Sequence, residues 1–286
     1  GGTPRPTVVA HAFAELASGG VPDHPVLADR GWWRTQRRPF RGRPIVVTGA
    51  SGTLGRALAG VCESRNLHFR ALTREELDIA DPASVREAME GLDPWAVVNA
   101  AGYVRVDDAE AEPYTCLREN VGGPVRLAEA CAARGIALVT YSSDLVFDGD
   151  ATLPYVESDE PAPLNVYGVS KARAERGVLD VCPQALVVRT SAFFGPADRF
   201  NFVHHALAEL RARGRFEADA ETIVSPTYVP DLVHATLDLL VDGERGIWHL
   251  ANAGAVTWWE LARSAARASG MDARRVTPAP APSPSR

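Results

Sequence analysis

A tyrosine and a lysine four residues apart are the strongest candidates for acid–base chemistry in this chain. They are Tyr167 and Lys171, in the stretch LNVYGVSKARAE, whose pattern indicates a helix. Residues at i and i+4 share a helix face and lie about 6 Å apart, so both side chains can point into one cleft. Of the 30 Lys and Arg residues, Lys171 is the only lysine. The pair predicts a proton donor and the cation that tunes it, with a chance pair on a helix surface as the alternative.

The expected effect of Lys171 on Tyr167 is electrostatic. A free phenol has a pKa near ~10 and is a slow proton source at neutral pH. A neighbouring ammonium and the nicotinium of a bound cofactor stabilise the phenolate, so we expect the two together to lower the pKa of Tyr167. Lysine provides this charge as a compact group with donors left for ribose hydroxyls, whereas the broad guanidinium of arginine would not fit the same space.

A hydroxyl that binds a substrate carbonyl is the third group that such chemistry needs. The stretch VTYSSDLVFDG offers Ser142 and Ser143 just past the fourth apolar strand. Because side chains alternate between the two faces of a strand, we expect only one of the two serines to face the site. A loop or cap role is the expectation for the other.

A glycine-rich turn in VVTGASGTLGRALA is the candidate phosphate site. Its three glycines follow a short β-branched strand and precede a helix. Glycine can take positive φ and lets the backbone come close to a pyrophosphate, and a helix start offers free N–H groups and its positive dipole end. In this strand–turn–helix context the turn predicts a dinucleotide site, with a tight turn without a ligand as the alternative. The candidates are Gly49, Ser51, Gly52, Thr53, Leu54 and Gly55.

The residues after the second strand bear on which dinucleotide binds. Many NAD sites place an acid here for the ribose 2′-hydroxyl, while an arginine suits a 2′-phosphate. Arg74 therefore favours NADPH over NADH, with a solvated surface arginine as the alternative. Asp78 and Ile79, in LDIAD, are candidates to border the adenine, although a turn or cap role for Asp78 fits equally well.

These groups sit on an alternating pattern of strands and helices that begins at Pro44. Five short apolar strands separated by helices predict an α/β fold, a doubly wound parallel sheet of the Rossmann type, whose ligands bind at the carboxyl ends of the strands. Beyond Gly195 the pattern changes to helices near 201–212, 229–241 and 257–269 around short extended pieces. This change indicates a smaller C-terminal substrate lobe.

The predicted domain organisation has four parts. They are an N-terminal arm or linker, or the end of an upstream domain, at 1–43; a dinucleotide-binding core at 44–195; a mainly substrate-binding lobe, interwoven with the core, at 196–275; and a Pro/Ser-rich extended tail at 276–286.

The composition narrows the classes of partner. A net charge of -6 argues against a nucleic-acid partner, which normally needs a basic face. The sequence has no run of about 18 apolar residues, so no membrane span is predicted. Four cysteines without a C-x-x-C pair predict buried thiols in a reducing cytoplasm. Seven histidines show no metal-ligand spacing, so no metal is expected.

The motifs T-G-x-x-G-x-x-G, N-A-A, S-S and Y-x-x-x-K, in that order, resemble the extended short-chain dehydrogenase/reductase family. Within it, the stretches VNAAGYVRVDDAE, YSSDLVFDG, APLNVYGVSK and SPTYVPDL resemble the dTDP-4-dehydrorhamnose reductases. The resemblance implies a reductase that uses NADPH, with NADH as the alternative, to reduce a nucleotide-linked 4-keto-6-deoxy sugar. It also implies that Tyr167 gives the proton, Ser143 polarises the carbonyl and Lys171 holds the ribose.

The same resemblance implies which residues line the two ligands. The cofactor candidates beyond the glycine turn are Asn99, Ala100, Ala101, Tyr103 and Asn120, of which the last would lie near the nicotinamide or support the site from its helix. The substrate candidates are Val104, Ser143, Asp144, Leu145, Ala192, Phe193 and Asn201. Two of these depart from the family pattern, because Leu145 stands where the reductases usually carry a tyrosine and Ala192 where they usually carry a tryptophan.

Two alternatives stay open at this stage. The two departures favour a reductase or epimerase of a different nucleotide sugar. The other alternative is an NADP-binding partner protein, because the regulatory subunit of methionine adenosyltransferase carries similar APLN-x-YG-like sequence, and an arm with Trp32 and Trp33 would suit docking. The intact serine, tyrosine and lysine favour the enzyme. The expected partners are the nucleotide sugar and either an upstream fused domain or a second copy of the chain.

Overall fold

The computed structural model describes residues 42–195, 198 and 200–281, together with residues 15, 18 and 20. The predicted arm at 1–43, including Trp32 and Trp33, lies outside the described residues apart from those few positions. The described residues form two compact units. The first contains the residues up to Val188 together with Val233–Trp248, and the second contains Arg189–Leu232 together with the residues from His249 onward.

The described strands and helices follow the predicted alternation. The strands are β1 (Ile45–Thr48), β2 (Phe69–Leu72), β3 (Ala96–Asn99), β4 (Ala137–Ser143), β5 (Leu186–Thr190), β6 (Phe193–Phe194), β7 (Phe216–Asp219), β8 (Ile223–Val224), β9 (Thr227–Tyr228), β10 (Gly246–His249), β11 (Val256–Thr257) and β12 (Val276–Ala279). The α-helices are α1 (Thr53–Ser64), α2 (Pro82–Leu92), α3 (Pro113–Leu117), α4 (Gly123–Arg134), α5 (Val166–Val181), α6 (Phe202–Arg213), α7 (Val229–Val241) and α8 (Trp258–Ala268).

The main sheet has six strands in the order β10-β5-β4-β3-β1-β2. The four strands β2, β1, β3 and β4 pair in parallel. The chain leaves β1 toward β2 and then crosses back over β1 to β3, so the order reverses between β1 and β3. In doubly wound sheets such a reversal opens a crevice at the carboxyl ends of the strands, where ligands bind. The predicted fold class, a doubly wound α/β sheet of the Rossmann type, is confirmed.

The apolar strands form because helices cover both faces of the sheet. All four residues of β1 and all four of β3 are buried, as expected for strands without a solvent face. Val46 and Val97 are register partners and lie in the same core cluster as Leu138 of β4. The helix side chains of this cluster are Val85 and Met89 of α2, Leu127, Ala128 and Cys131 of α4, and Val178 of α5.

Local signals in the sequence define the helix ends that matter for the site. Helix α4 ends at Gly135 because this residue takes the left-handed conformation (φ 63°) that glycine adopts without strain. Helix α2 begins after Asp81, whose side chain accepts a hydrogen bond from Ala83 N. Helix α5 begins after Asn165, whose side chain accepts a hydrogen bond from Gly168 N at 2.7 Å.

The second unit contains three two-stranded sheets, in which β7 pairs with β12, β6 with β9 and β8 with β11. A small-residue core joins α6 and α8, with Ala206 and Leu210 packed in one cluster with Ala262 and Ala266. The segment predicted as an extended tail begins with a paired strand, β12. Strand β10, from the part of the chain predicted as a lobe interwoven with the core, is a strand of the main sheet.

Candidate active site

The glycine turn packs the backbones of three segments against one another. Gly49 has φ 67°, and a Cβ added there would lie 2.7 Å from Ala100 O. A Cβ at Gly55 would lie 2.1 Å from Gly49 O. Side chains at these two positions are therefore excluded by backbone atoms. Ala50 N donates to Leu72 O at 3.0 Å, which fixes the turn beside the end of β2.

The same turn leaves donors for a phosphate. Gly52 is the N-cap residue of α1 and provides no side-chain acceptor for the N–H groups of the first turn. Gly52 and Ser51 are exposed, whereas Leu54 and Gly55 are buried. An exposed, uncapped helix start at the carboxyl edge of a parallel sheet fits the pyrophosphate of a dinucleotide.

A hydrogen-bonded network fixes the loop that follows β3. Thr48 Oγ1 donates to Asn99 Oδ1 at 2.7 Å, and Asn99 Nδ2 donates to Thr140 Oγ1 at 3.1 Å. Ala101 N lies 3.2 Å from both Thr48 Oγ1 and Asn99 Oδ1. The ends of β1 and β3 and the middle of β4 are thereby joined beside Ala100, whose carbonyl lies close to Gly49 of the glycine turn. The predicted cofactor candidates of the glycine turn and of this loop therefore come together.

Helix α5 begins directly over the end of β4. A Cβ added at Gly168 would lie 2.1 Å from Leu145 O, so the first turn of α5 rests on the backbone just after Ser143. This contact carries Tyr167 to the carboxyl edge of the sheet. Tyr167 packs against the cluster of Tyr103, Ala109 and Cys116.

Tyr167 and Lys171 share one helix face as predicted. Lys171 Nζ lies 5.7 Å from the centroid of the Tyr167 ring and donates to Tyr141 O, on β4, at 3.2 Å. Burial lowers the pKa of the Lys171 ammonium to about 8, although Cys116 and Glu175 act in the opposite direction. The ammonium is thus held by a strand carbonyl in a poorly solvated place.

In the protein alone, the pKa of Tyr167 is shifted in the direction opposite to the one expected with a bound nicotinium. Burial raises the pKa of the Tyr167 phenol above its ordinary value, and the charge of Asp144 and the thiol of Cys116 act in the same direction. The physical reason is that loss of water around the phenol outweighs a cation whose Nζ is turned toward Tyr141 O. Tyr167 is therefore a firmly protonated phenol, the state that a proton donor needs.

The cap role expected for one of the two serines falls to Ser143, the same serine that the resemblance implies at the substrate carbonyl. Ser143 is the cap of a short 3₁₀ turn at Asp144–Val146: its Oγ accepts from Leu145 N at 3.2 Å and donates to Asp144 Oδ1 at 3.0 Å. Ser142 Oγ is buried and has no hydrogen-bond partner among the described residues. Because a hydroxyl hydrogen rotates, Ser143 can still donate to a ligand oxygen by turning away from Asp144.

The side chain of Asn120 connects the loop at Tyr103 to helix α5 by hydrogen bonds. It lies in a π-turn at Arg118–Gly122, and its Oδ1 accepts from Tyr103 N at 2.8 Å. Its Nδ2 donates to Tyr103 O at 3.1 Å and to Ser170 Oγ at 3.0 Å. The supporting alternative predicted for Asn120 is therefore the one its contacts favour. Sequence reasoning missed Ser170, although its place immediately before Lys171 was a usable signal.

Arg74 is part of a charged cluster that sequence reasoning found only in part. Its guanidinium lies 2.7 Å from Glu119 Oε1 and 3.7 Å from Asp78 Oδ2. Arg118 lies 3.3 Å from Asp78 Oδ2 and also contacts Glu119. Burial opposes ionisation of Asp78, but the hydrogen bond from Ala80 N and the two guanidinium groups outweigh it, so the pKa of Asp78 is lowered. The adjacent charges of the pair Arg118–Glu119, just before Asn120, were the missed signal.

The remaining candidates have these positions. Thr53 is half-buried, Ile79 is buried and its side chain lies against Gly123, and Val104 is 70% exposed.

Three substrate candidates lie in the second unit. Ala192 has φ 35°, and its carbonyl accepts a hydrogen bond from Thr227 N. Phe193 pairs with Thr227 in a short sheet, and Asn201 caps α6 by accepting from His204 N at 2.9 Å. Among the described residues, no group of three or more His, Cys, Asp or Glu side chains could hold a metal ion.

The glycine turn, the Asn-Ala-Ala loop and the Tyr–Lys helix, joined on one edge of a doubly wound sheet, define a nucleotide-binding oxidoreductase of the short-chain dehydrogenase/reductase type. Residues 43–286 match the family model for the RmlD substrate binding domain. The chain belongs to this family.

Curated relatives and a solved structure agree with that assignment. A dTDP-4-dehydrorhamnose reductase of Mycolicibacterium smegmatis is 38% identical over 274 residues, covering 89% of this chain and 83% of its own. A dTDP-4-keto-6-deoxy-D-glucose reductase of Streptomyces niveus is 37% identical over 243 residues, covering 82% of each chain. The structure of a dTDP-4-dehydrorhamnose reductase from Bacillus anthracis in complex with NADP superposes with a TM-score of 0.80 at 30% identity, covering 84% of each chain. These relatives are reductases, which favours the enzyme over the partner-protein alternative.

Proposed function

We propose that this protein is an NADPH-dependent reductase of a dTDP-linked 4-keto-6-deoxy sugar, with Tyr167 as the proton donor. The observation that carries the proposal is the start of α5 on the backbone of Leu145, which brings Tyr167 and Lys171 to the end of β4. The relatives described above, one of which was solved with NADP, support the cofactor and the class of sugar.

The roles of the three polar side chains follow from their contacts. NADPH, when bound, supplies the hydride. Tyr167, protonated at neutral pH because of its raised pKa, gives its proton to the oxygen that becomes a hydroxyl. Ser143 Oγ donates to the same oxygen after turning from Asp144. Lys171, held by Tyr141 O, stabilises the phenolate that remains.

The groups that would hold the cofactor are those of the first unit. The uncapped start of α1 at Gly52 offers N–H groups to the pyrophosphate. The loop at Ala100 and Ala101 is fixed beside it by Thr48 and Asn99. Arg74 offers a guanidinium for a 2′-phosphate at the end of β2.

The sugar is the finer part of the proposal. We propose dTDP-4-dehydrorhamnose as the first candidate, and dTDP-4-keto-6-deoxy-D-glucose as the second because the Streptomyces niveus relative is named for it. Leu145 and Ala192 lack the ring side chains that the reductases usually carry at these positions. We therefore expect the sugar to be held through other contacts, and a comparison of both sugars will show which one the site accepts.

The test is a direct assay of NADPH oxidation. Purified protein is mixed with NADPH and dTDP-4-dehydrorhamnose (dTDP-4-keto-6-deoxy-L-mannose), and loss of the reduced nicotinamide absorbance is followed. Reactions with dTDP-4-keto-6-deoxy-D-glucose and with NADH are run in parallel. Tyr167→Phe is the matched control, expected to lose at least ~100-fold in rate, the scale of general acid catalysis, while still binding NADPH. Oxidation with neither sugar, or full activity of the variant, contradicts the proposal.

The proposal also includes a cytoplasmic location and a homodimer. A cytoplasmic location is supported by four unpaired, buried cysteines, which suit a reducing compartment. None of the described helices has the length and apolar character to cross a membrane. A homodimer is tested by size-exclusion chromatography with light scattering, where a mass near that of one chain contradicts it.

A further inference from the structure

Four charged side chains form one cluster beside the end of β2: Arg74, Asp78, Arg118 and Glu119. Each carboxylate of the cluster contacts both guanidinium groups. Glu119 Oε1 is in contact with both Arg74 and Arg118, and Asp78 Oδ2 lies 3.7 Å from Arg74 and 3.3 Å from Arg118. The formal charge of the group is zero. The side chain of Arg74 is 64% exposed, whereas that of Glu119 is 10% exposed.

The cluster lies where doubly wound folds bind the adenosine ribose of a dinucleotide, the ribose that carries the 2′-phosphate in NADPH. Arg74 follows β2 by two residues, and Leu72, the last residue of β2, accepts a hydrogen bond from Ala50 in the glycine turn. In such folds an acid at this place binds the ribose 2′-hydroxyl, and an arginine accommodates a 2′-phosphate. This cluster contains both kinds of group in direct contact.

We propose that Glu119 sets the choice between NADPH and NADH by competing with the 2′-phosphate for the guanidinium groups of Arg74 and Arg118. This inference rests on the proposed function only in taking NADPH as the cofactor. A 2′-phosphate must displace Glu119 from Arg74 or share the guanidinium with it. The 2′-hydroxyl of NADH needs no such displacement, because a carboxylate can accept its hydrogen bond.

The geometry assigns Arg118 a part as well. It contacts the same two carboxylates as Arg74 from the π-turn before α4. A phosphate that draws Arg74 away from Glu119 leaves this carboxylate paired with Arg118. Arg118 therefore compensates the buried carboxylate when NADPH binds, or contacts the phosphate itself.

The charge change expected from removing Glu119 has a definite sign. Glu119→Gln leaves two guanidinium groups against one carboxylate, that of Asp78, so a 2′-phosphate meets a net positive site and no longer competes with Glu119. Hydrogen bonds to charged groups are strong enough to change affinity about tenfold. We expect NADPH to bind about tenfold more tightly to the variant. NADH should change by less than about twofold, because the amide oxygen of the new glutamine can still accept a hydrogen bond from its 2′-hydroxyl.

Calorimetric titration of NADPH and NADH into sugar-free protein tests the inference. The variants are Glu119→Gln and Arg118→Ala, the second expected to weaken NADPH about tenfold with little effect on NADH. Glu75→Gln is the matched control, because Glu75 is exposed and adjacent to Arg74 in the chain. It makes the same charge change outside the cluster, and we expect no change in preference. Circular dichroism confirms that each variant is folded.

Several results would overturn the inference. They are an unchanged NADPH-to-NADH ratio in Glu119→Gln, an equal shift in Glu75→Gln, or no NADPH binding by the unmodified protein. If Glu119→Gln does not fold, an Arg118→Ala variant that weakens both cofactors equally, or neither, overturns the inference as well. A protein that binds NADPH with these shifts but reduces neither sugar loses the proposed function and keeps this inference.

Discussion

At the scale of single residues, burial acts on Tyr167 and Lys171 in opposite senses. Loss of water disfavours the charged form of each group, which raises the pKa of the phenol and lowers that of the ammonium. Between neutral pH and pH 8 the pair is therefore a protonated phenol beside a cation that is close to losing its proton. A proton leaves Tyr167 only if the resulting phenolate is stabilised, and Lys171 is the nearby group that can do so.

The pH dependence of the reaction follows from that pair. Below pH 8 Lys171 carries its charge, and above its pKa of about 8 it does not. Tyr167 stays protonated over the same range, so we expect kcat/KM for NADPH, which reports groups of the free protein, to fall as the pH rises through about 8. In Lys171→Arg the guanidinium does not titrate there, so a less active variant should show no fall near pH 8. A profile that is flat to pH 10 in the unmodified protein contradicts this assignment of Lys171.

At the scale of elements, the contact between Gly168 and Leu145 O positions the catalytic helix. Gly168→Ala places a methyl group 2.1 Å from that carbonyl, so the start of α5 must move. Overpacking of this kind costs about 1–3 kcal/mol, and the displacement carries Tyr167 away from Ser143. We expect a lower free energy of unfolding in urea and at least a tenfold loss of kcat, since displacements of about 1 Å cost as much or more.

A second glycine supplies the control for that experiment. Gly60, in the interior of α1, has open space around an added Cβ. Gly60→Ala should stabilise the protein by about 0.5–1 kcal/mol and leave kcat unchanged. If both variants behave alike, the close approach at Gly168 does not position Tyr167.

The π-turn at Arg118–Gly122 gives a prediction of its own. Asn120→Asp keeps the acceptor for Tyr103 N but removes the two donors that bind Tyr103 O and Ser170 Oγ. Unsatisfied buried groups cost about 1–3 kcal/mol, and more where charged. Because the new carboxyl group is buried, its pKa rises in the folded state, so the loss of stability should grow as the pH increases above about 4. Urea midpoints at pH 5 and pH 8 measure this difference, and an equal deficit at both contradicts the buried role.

The elements that the sequence predicts correctly are those with strong local signals. Strand β1 is a run of β-branched residues, and α4 ends at Gly135, where only the backbone of glycine is unstrained. Helix α2 was not assigned, although Asp81 and Pro82 form a start signal of the usual kind. The place of β10 depends on long-range pairing in the main sheet, which its own short, half-buried sequence does not encode.

The site was predictable in its residues more than in their electrostatics. Spacing and the strand–turn–helix context predicted the glycine turn, and spacing predicted the shared helix face of Tyr167 and Lys171. The sign of the Tyr167 pKa shift depends on how much water the fold removes, which spacing does not reveal. The role of Glu119 was not predicted, because its contact with Arg74 joins residues 45 positions apart in the sequence.

At the scale of the whole molecule, the two units differ in what they carry. The described candidates for cofactor binding and catalysis lie in the first unit, and Ala192, Phe193 and Asn201 lie in the second. All four cysteines of the sequence, Cys62, Cys116, Cys131 and Cys182, also lie in the first unit and are buried. Their thiols therefore report the opening of the cofactor-binding unit alone.

Thiol labelling should consequently depend on NADPH. Burial raises the pKa of the Cys62 and Cys131 thiols to about 12, and only a thiolate reacts, so labelling at pH 8 has to proceed through opening of the unit. A ligand that binds only the closed form at 100 times its Kd stabilises that form by about 2.7 kcal/mol and should slow labelling about 100-fold. All four thiols should react rapidly in urea, with or without NADPH. Labelling that NADPH does not slow would mean that these thiols become exposed by local motions that leave the cofactor site intact.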